Sequence, residues 1–595
     1  MARKEVAVIL KRSRHLLRSS SVASAPSIHA VLAAAAAAAL LLLAPSANAG
    51  ISSASHQPLR HQPLRHSPPP PPRWNSPPRW APLAFYSITG VGNNLANLRW
   101  GAAGVDLLRR SPSAYQDGLS APAGSDRLSA RALSNALSAQ TEDSENNRQM
   151  SDYVYVFGQF LDHDIGLTTA NSGQAFPISV PIGDPSFDPT GTGTRSIRLT
   201  RSTFNPATGT TGARQQPNVV TAFIDGSQIY GSDAVRASAL RSFVAGKLKV
   251  SAGNMLPFNT DGLPNANDAH VVGDASLFLA GDVRANENVE LTSLQTLFMR
   301  EHNRQAVAIA ARNPRMSDEQ IFQRARAIVI GELQAITYQE FLPALLGRGA
   351  IAAYGGYRPA VNPGIANEFS AAAFRFGHTQ LDGEIGRLNN DGTETPQGPI
   401  ALRDAFFNPT VFDATLPNHQ GDIDPFLKAA ASGNAQEVDL KVVDDVRNFL
   451  FGQPGAGGFD LAALNIQRGR DHGLADYNTV RAAYGLPRVR SFSQISSDAG
   501  VVAALQAAYG SVANIDLWVG GLAENHTAQG SLGPLFSRII ADQFTRLRDG
   551  DRLFYERSLG GAQLDQVRRT TLAQVIKANT ALTNIQPNVF FWNGQ

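Results

Sequence analysis

No cysteine occurs in this chain of 595 residues. That absence removes a disulfide framework, a thiolate metal site, a lipid-modified cysteine anchor and any prosthetic group bound through a cysteine sulfur. A metal in this protein must be held by histidine, carboxylate or another oxygen. The length allows several ordinary domains, or one large helical domain built around an interior ligand.

The first stretch sets a context. Arg3, Lys4, Lys11, Arg12, Arg14 and Arg18 precede an apolar run from Val31 to Leu43, followed by Ala47, Asn48 and Ala49. Basic, then apolar, then small residues is the order of a secretory signal, with cleavage expected after Ala49. The run is shorter than the roughly 20 residues a membrane-spanning helix needs, so no stable span is expected after cleavage. Residues 50–82 follow with His-Gln-Pro-Leu-Arg units between His56 and Arg65 and Pro-Pro-Arg-Trp units ending at Trp74 and Trp80. Such a Pro-rich segment cannot build a core and reads as an extended tether. Residues 83–595 then read as one large domain without internal repeats.

Charge follows the same division. Residues 1–82 hold ten of the 52 basic side chains and one of the 49 acids, so the remainder is mildly acidic. The basic balance of the whole chain therefore gives no support to nucleic-acid binding.

Helical periodicity is the main signal in the folding part. In 153–163, Tyr153, Val156, Phe157, Phe160 and Leu161 recur at helical spacing, and Gln159 and His163 share a face. A second helix is predicted over 286–312 with Leu291, Leu294, Leu297, Phe298 and Val307 on its apolar side, a third over 318–346 and a fourth over 365–377. Gly, Pro, Asn and Asp clusters at 184–193 and 389–398 mark long surface loops. Nothing alternates long enough for a large sheet, so a mainly α fold with long loops is expected.

Seven histidines lie beyond the tether: His163, His270, His302, His378, His419, His472 and His526. His163 has Gln159, Asp162 and Asp164 around it near a helix end, which is either a polar terminus or a reactive imidazole. Arg284 and Glu287, three apart, would share one helical face, as a surface ion pair or a site cluster. His378 sits among Phe374, Phe376 and Gly377, which suits a satisfied core histidine or an imidazole facing an apolar cavity. In 221–227 an extended loop would aim Thr221, Asp225 and Ser227 one way. With the main-chain carbonyls of Thr221 and Phe223 that is a hard-oxygen set suited to Ca2+, or else a plain Asp-Gly turn.

Taken together and in order, Gln-Phe-Leu-Asp-His-Asp (159–164), Thr-Ala-Phe-Ile-Asp-Gly-Ser (221–227), Arg-Ala-Asn-Glu (284–287), Arg-Glu-His-Asn-Arg (300–304), Phe-Arg-Phe-Gly-His (374–378) and Leu-Asn-Ile-Gln-Arg-Gly-Arg-Asp-His-Gly (464–473) resemble the animal-type haem peroxidases. These belong to the peroxidase-cyclooxygenase superfamily, with myeloperoxidase, lactoperoxidase and peroxidasin. The resemblance runs from about residue 85 to the end. It implies a single large helical domain with long loops around a buried haem b.

The same resemblance implies roles, position by position. His163 corresponds to the distal histidine, Gln159 to the amide beside the distal water and halide site, and Arg284 to the distal arginine. His378 corresponds to the proximal iron ligand, with Asn465 accepting from its other ring nitrogen. Arg375 and Arg468 lie near haem propionates. Asp162 and Glu287 match the carboxylates that form ester links to haem. Asp164 joins Thr221, Phe223, Asp225 and Ser227 around Ca2+. Asn288 stands where myeloperoxidase has the methionine of a third, sulfonium link, so that link is expected to be absent. The implied activity is that of a secreted enzyme that reduces hydrogen peroxide and oxidises a halide, thiocyanate or a phenolic donor.

Two other readings share the fold. Fatty-acid oxygenases on it depend on a tyrosine three residues before the proximal histidine, a position held here by Arg375. A haem-bearing adhesion or matrix protein without turnover would not require His163, Arg284, His378 and Asn465 together.

Overall fold

The computed structural model describes residues 84–592 except Asn171 and Asn418; the expected leader and tether lie outside the described residues. Helices make the domain, as the periodicity required. Strand structure among the described residues is confined to short antiparallel ribbons. These pair Val105–Asp106 with Pro217–Asn218, Ile178–Ser179 with Ser196–Ile197, and Glu384–Ile385 with Ile400–Ala401. No described helix is long and apolar enough to cross a membrane.

At the centre lies α1, Tyr153–Ile165. Its residues are buried all round except Gln159 and Asp162, the pattern of a helix enclosed by others. Phe160 stacks on Phe298 with ring centroids 5.1 Å apart, and Phe157 meets Phe341 and Phe590 at 5.6 and 5.5 Å. Helix α2, Val289–Arg312, begins where the Asn288 side chain accepts from Leu291 N, a cap that satisfies one of the free N–H groups of the first turn. Its last turns emerge at the surface, so Val307, expected on the apolar side, is half exposed. Helix α3, Asp318–Ile336, starts in a Ser317/Gln320 capping box. It continues through a wider turn at Thr337–Phe341 into Leu342–Leu346, so the predicted third helix exists with a bulge in it.

The predicted fourth helix does not run through. Asn367–Ala371 is helical, Ala372 departs to φ −143°, ψ −69°, and Ala373–Thr379 winds as a tight 3₁₀ segment. Packing imposes the break: Phe369 and Phe374, one on each side of it, stack on each other at 4.6 Å. The break also aims His378 inward. Helix α4, Leu461–Asp471, is capped by Asp460, which accepts from Ala463 N, and α5, Pro534–Asp549, closes the core beside the 3₁₀ segment.

The 284–287 segment is a second correction. It lies in a turn ahead of α2, where Glu287 N donates to Arg284 O at 2.9 Å, rather than on a helical face. Asn286 forces this geometry by exchanging side-chain hydrogen bonds with both backbone groups of Phe278. Nor is the 184–193 loop wholly superficial, because Asp184 and Asp188 are buried and fold it around their own carboxylates.

Candidate active site

Tyr155, Gln159 and His163 recur every fourth residue along α1 and therefore share a face. All three line an internal cavity of about 910 Å3. Its other walls come from Arg284, Glu287 and Asn288 ahead of α2, from Arg375 and His378 on the 3₁₀ segment, and from Arg468 on α4. The structure thus brings together, from four distant stretches of chain, Gln159, Asp162, His163, Arg284, Glu287, Arg375, His378 and Arg468; Asn465 is buried against His378 and does not line the cavity.

His163 is buried, and its Nδ1 has no hydrogen-bond partner. That nitrogen lies 3.8 Å from Asp282 Oδ1, and Nε2 lies 3.5 Å from Glu287 Oε2. Burial, helped by the nearby Arg284 charge and opposed by Asp282, pushes the imidazole down to about 3, so it is neutral at ordinary pH.

Asp282 was not legible as a site residue, yet it fixes Arg284. Its two oxygens accept from Arg284 Nε and Nη2 at 2.8 and 2.9 Å, and Nη2 also donates to Gly166 O at 2.9 Å. Despite burial, Arg284 holds the Asp282 carboxyl below its ordinary range. Arg284 Nη1 is left 3.6 Å from Asp162 Oδ2. The only available sequence signal was the spacing, Asp282 standing two residues before Arg284.

Two of the carboxyls that line the cavity have raised proton affinities. Burial raises Asp162 to about 6 and Glu287 to about 7, in both cases against the pull of Arg284. Glu287 Oε2 accepts from Gln159 Nε2 at 2.8 Å, and Gln159 Oε1 accepts from Asn288 Nδ2 at 2.9 Å. Asn288, the departure noted in the sequence, thus orients Gln159.

On the other wall, His378 Nδ1 lies 2.8 Å from Asn465 Nδ2, while Asn465 Oδ1 accepts from Arg375 Nη1 at 3.0 Å. The pair is made, but in the opposite sense to the expectation that Asn465 accepts from the ring. Arg375, whose five donors need acceptors, has claimed the amide oxygen. Burial, then Arg375, depress His378 to about 3. Arg375 is itself lowered to about 10 by burial and by Arg468. Arg468 Nη1 binds Ser202 Oγ and Asp471 Oδ2, each at 2.9 Å.

Other histidines provide the contrast. His472 also lines the cavity, yet its ring nitrogens are taken by Ser202 Oγ and Asn367 Oδ1 at 2.7 Å. His302 is held by Tyr230 and Gly246 O at 2.9 Å. Both are satisfied core histidines.

Behind α1, residues 221–227 form a bent loop, not an extended one, running into the short helix Ser227–Tyr230. Asp164 Oδ1 and Oδ2 accept from Ser227 N and Gly226 N at 2.5 and 3.2 Å, and Thr221 Oγ1 donates to Asp225 Oδ1 at 2.9 Å. Asp225 Oδ2 is buried without a partner. Both carboxyls are raised, first by burial, Asp225 to about 7. Two buried acids with an orphaned oxygen are a set that a cation would complete. Gly281 ties this loop to the distal segment: a Cβ there would lie 2.2 Å from Ser227 O, and the next residue, Asp282, donates its N–H to Gln228 O.

A mainly helical domain whose interior cavity is lined by imidazoles and guanidinium groups from different elements is of the class built to enclose a ligand. The chain belongs to the animal haem peroxidase family, whose sequence profile matches residues 85–590. It is 35% identical over 519 residues to peroxinectin A of Dictyostelium discoideum, covering 85% of this chain and 95% of that one. It is 33% identical to peroxidasin of Drosophila melanogaster, where the match covers 83% of this chain but 35% of that longer protein. Among solved structures, peroxidase A from Dictyostelium discoideum superposes with a TM-score of 0.79 at 34% identity, over 85% of this chain and 99% of the other. The chain is therefore a haem peroxidase of mainly helical fold.

Proposed function

We propose that this protein is a secreted peroxidase that reduces hydrogen peroxide and oxidises a halide, thiocyanate or small phenol at a haem b bound between His163 and His378. The observation that carries the reading is the cavity itself, in which His163 keeps Nδ1 unpartnered and His378 uses only Nδ1, on Asn465, whereas His472 has both ring nitrogens engaged. When bound, the haem supplies the redox chemistry; the protein supplies ligand, acid–base group and access.

His163, neutral and buried, can take a proton from peroxide and return it to the departing oxygen. Arg284, held by Asp282 with one arm toward Asp162, places a fixed positive charge where negative charge develops. His378 would be the iron ligand through Nε2. That assignment puts its ring proton on Nδ1, so Asn465 must present Oδ1 to it, which requires the amide to rotate and release Arg375 Nη1. Arg375 Nη1 would then be released toward a propionate, while Arg468, whose Nη1 stays on Thr200 O, Ser202 Oγ and Asp471 Oδ2, would meet one through its other guanidinium nitrogens. With Arg375 in the position where fatty-acid oxygenases keep a tyrosine, the oxygenase reading finds no support in the site.

Asp162 and Glu287, with proton affinities raised by burial, would form ester links to the haem. The double variant Asp162→Ala, Glu287→Ala is expected to yield haem extractable by acidified organic solvent, whereas the unmutated holoprotein retains it. Free extraction from the unmutated protein sinks the ester proposal.

Asp164, Thr221, Phe223, Asp225 and Ser227 would hold Ca2+. Because Gly281 and Asp282 pack on this loop, chelation is expected to loosen Arg284 and lower peroxidase activity, with recovery on adding calcium back. Activity that persists after metal analysis proves removal would count against the site.

We further propose that residues 1–49 are a cleaved leader and 50–82 a tether for the domain at 83–595, within which the family profile spans residues 85–590. The reading as a whole is tested by supplying the expressed chain with haem, recording its Soret band, and following peroxide consumption with and without each halide, thiocyanate and a phenol. A chain that stays colourless overturns it.

A further inference from the structure

Tyr155 and Glu290 form a buried pair that the peroxide chemistry above leaves unused. Tyr155 is the only tyrosine lining the cavity among the described residues. It stands one helical turn before Gln159 and packs beside Gly377, where a Cβ would lie 3.7 Å from its own. Its hydroxyl donates to Glu290 in the first turn of α2, 3.2 Å from Oε2 and 3.4 Å from Oε1.

The choice of acceptor is the informative point. A buried tyrosine needs one hydrogen-bond partner, and Tyr153, two residues earlier, finds an ordinary one in Leu427 O at 3.0 Å. Tyr155 instead faces a carboxyl group, which can take the proton as well as the hydrogen bond. No described cation pairs with Glu290. Its electrostatic neighbours are Asp152, whose Oδ1 is buried without a partner, and Asp382, which accepts from Gln436 Nε2 at 2.6 Å. Burial and the negative field of Asp382 raise Glu290 to about 8 even though Tyr155 donates to it. A packed core gains nothing from three carboxyls gathered without a counter-charge; the same arrangement makes the ionised form of Glu290, which predominates only above about pH 8, a strong proton acceptor.

We propose that Tyr155 is a redox-active residue coupled to Glu290. One electron leaves the Tyr155 ring for the haem centre that peroxide has oxidised, and, in molecules whose Glu290 is ionised, the phenolic proton moves along the existing hydrogen bond to its carboxylate. The tyrosine O–H bond breaks, a Glu290 O–H bond forms, Tyr155 becomes a neutral radical and the oxidised centre gains one electron. A one-electron donor of the phenol class then reduces the radical as the proton returns, which makes Tyr155 a way station for donors that reach the edge of the cavity.

The inference rests on the haem peroxidase reading, and the test separates the two. Haem-loaded protein, with its Soret band and peroxide consumption recorded, is mixed with hydrogen peroxide without donor, frozen within the turnover time and examined by electron paramagnetic resonance. A tyrosyl signal is expected, its hyperfine structure collapsing when the protein is grown with ring-deuterated tyrosine. The signal should be lost in Tyr155→Phe and strongly reduced in Glu290→Gln, at unchanged haem content. Haem-loaded protein that consumes peroxide without a tyrosyl signal, or a signal that survives in Tyr155→Phe, overturns the proposal while leaving the peroxidase reading intact. An undiminished signal in Glu290→Gln overturns Glu290 as the acceptor. The deuterium experiment needs no variant, so the first arm holds even if a substitution prevents folding.

Discussion

Replacing His163 with alanine is expected to slow peroxide turnover by about 10²- to 10⁴-fold, the range for a lost acid–base group, while haem stays bound through His378. The argument rests on protonation state and isolation. Burial and the Arg284 charge keep His163 neutral down to about pH 3, so the ring can accept a proton throughout the working range. No other group in the pocket can replace it: Gln159 does not titrate, Arg284 is fixed as a cation by Asp282, and Asp162 and Glu287 are assigned to the haem edge. The sign for pH follows. Because the folded histidine is shifted down, its charging costs activity only as pH falls toward 3, and no loss attributable to His163 is expected between pH 5 and 8. Stopped-flow rates of peroxide binding and cleavage, with the Soret band as a check on haem content, measure both points. Near-normal turnover in the alanine protein would remove His163 from its proposed role.

How far the sequence revealed this site depended on the range of the interactions involved. Helix α1 was legible because its apolar spacing is local, and Gln159, Asp162 and His163 could be placed on it by counting. The interruption at Ala372 was not, because the stacking of Phe369 on Phe374 that enforces it is a packing result within an otherwise helix-compatible run. Arg284 and Glu287 do line the cavity but from a turn, not the expected helical face, since the Asn288 cap and the Asn286 bonds that delay α2 compete with simple periodicity. Asp282 escaped notice altogether, as nothing in a single carboxylate announces that it will clamp an arginine. The sense of the Asn465 amide lies beyond sequence reasoning, because it is decided by Arg375 from 90 positions away. Tyr155 drew no reading from the sequence, because what marks it is the contact of its hydroxyl with Glu290, 135 positions away.

Arg131→Met is expected to cost about 3–5 kcal/mol of stability, the penalty for stripping the counter-charge from a buried ion pair. Arg131 is fully buried. Its Nε and Nη2 grip the two oxygens of Asp184 at 2.7 and 3.1 Å, Nη1 binds Asp460 Oδ2 at 2.7 Å, and the remaining donors go to Asn448 Oδ1 and Arg447 O. The guanidinium also lies over the Phe187 ring at 4.6 Å. Asp460 caps α4, the helix that carries Asn465 and Arg468, so losing Arg131 disturbs the wall behind His378 without touching the cavity. Burial alone would raise Asp184, but Arg131 and Asn135 hold it well below the usual carboxylate range. A depressed acid contributes stability above its unfolded value of about 3.9 and loses that contribution as pH falls through the folded value. In the methionine protein the uncompensated acids take up protons more readily, which relieves the penalty in the same direction. The gap between the two proteins should therefore be widest near pH 7 and narrow as pH falls through the acid range, closing only as Asp184 itself takes up a proton well below about pH 4, read from urea midpoints of the haem-loaded forms. Arg131→Lys keeps the charge but cannot span both acids, and should fall between them. A loss under about 1 kcal/mol at pH 7, the scale of an exposed pair, would show that this network does not anchor the proximal helix.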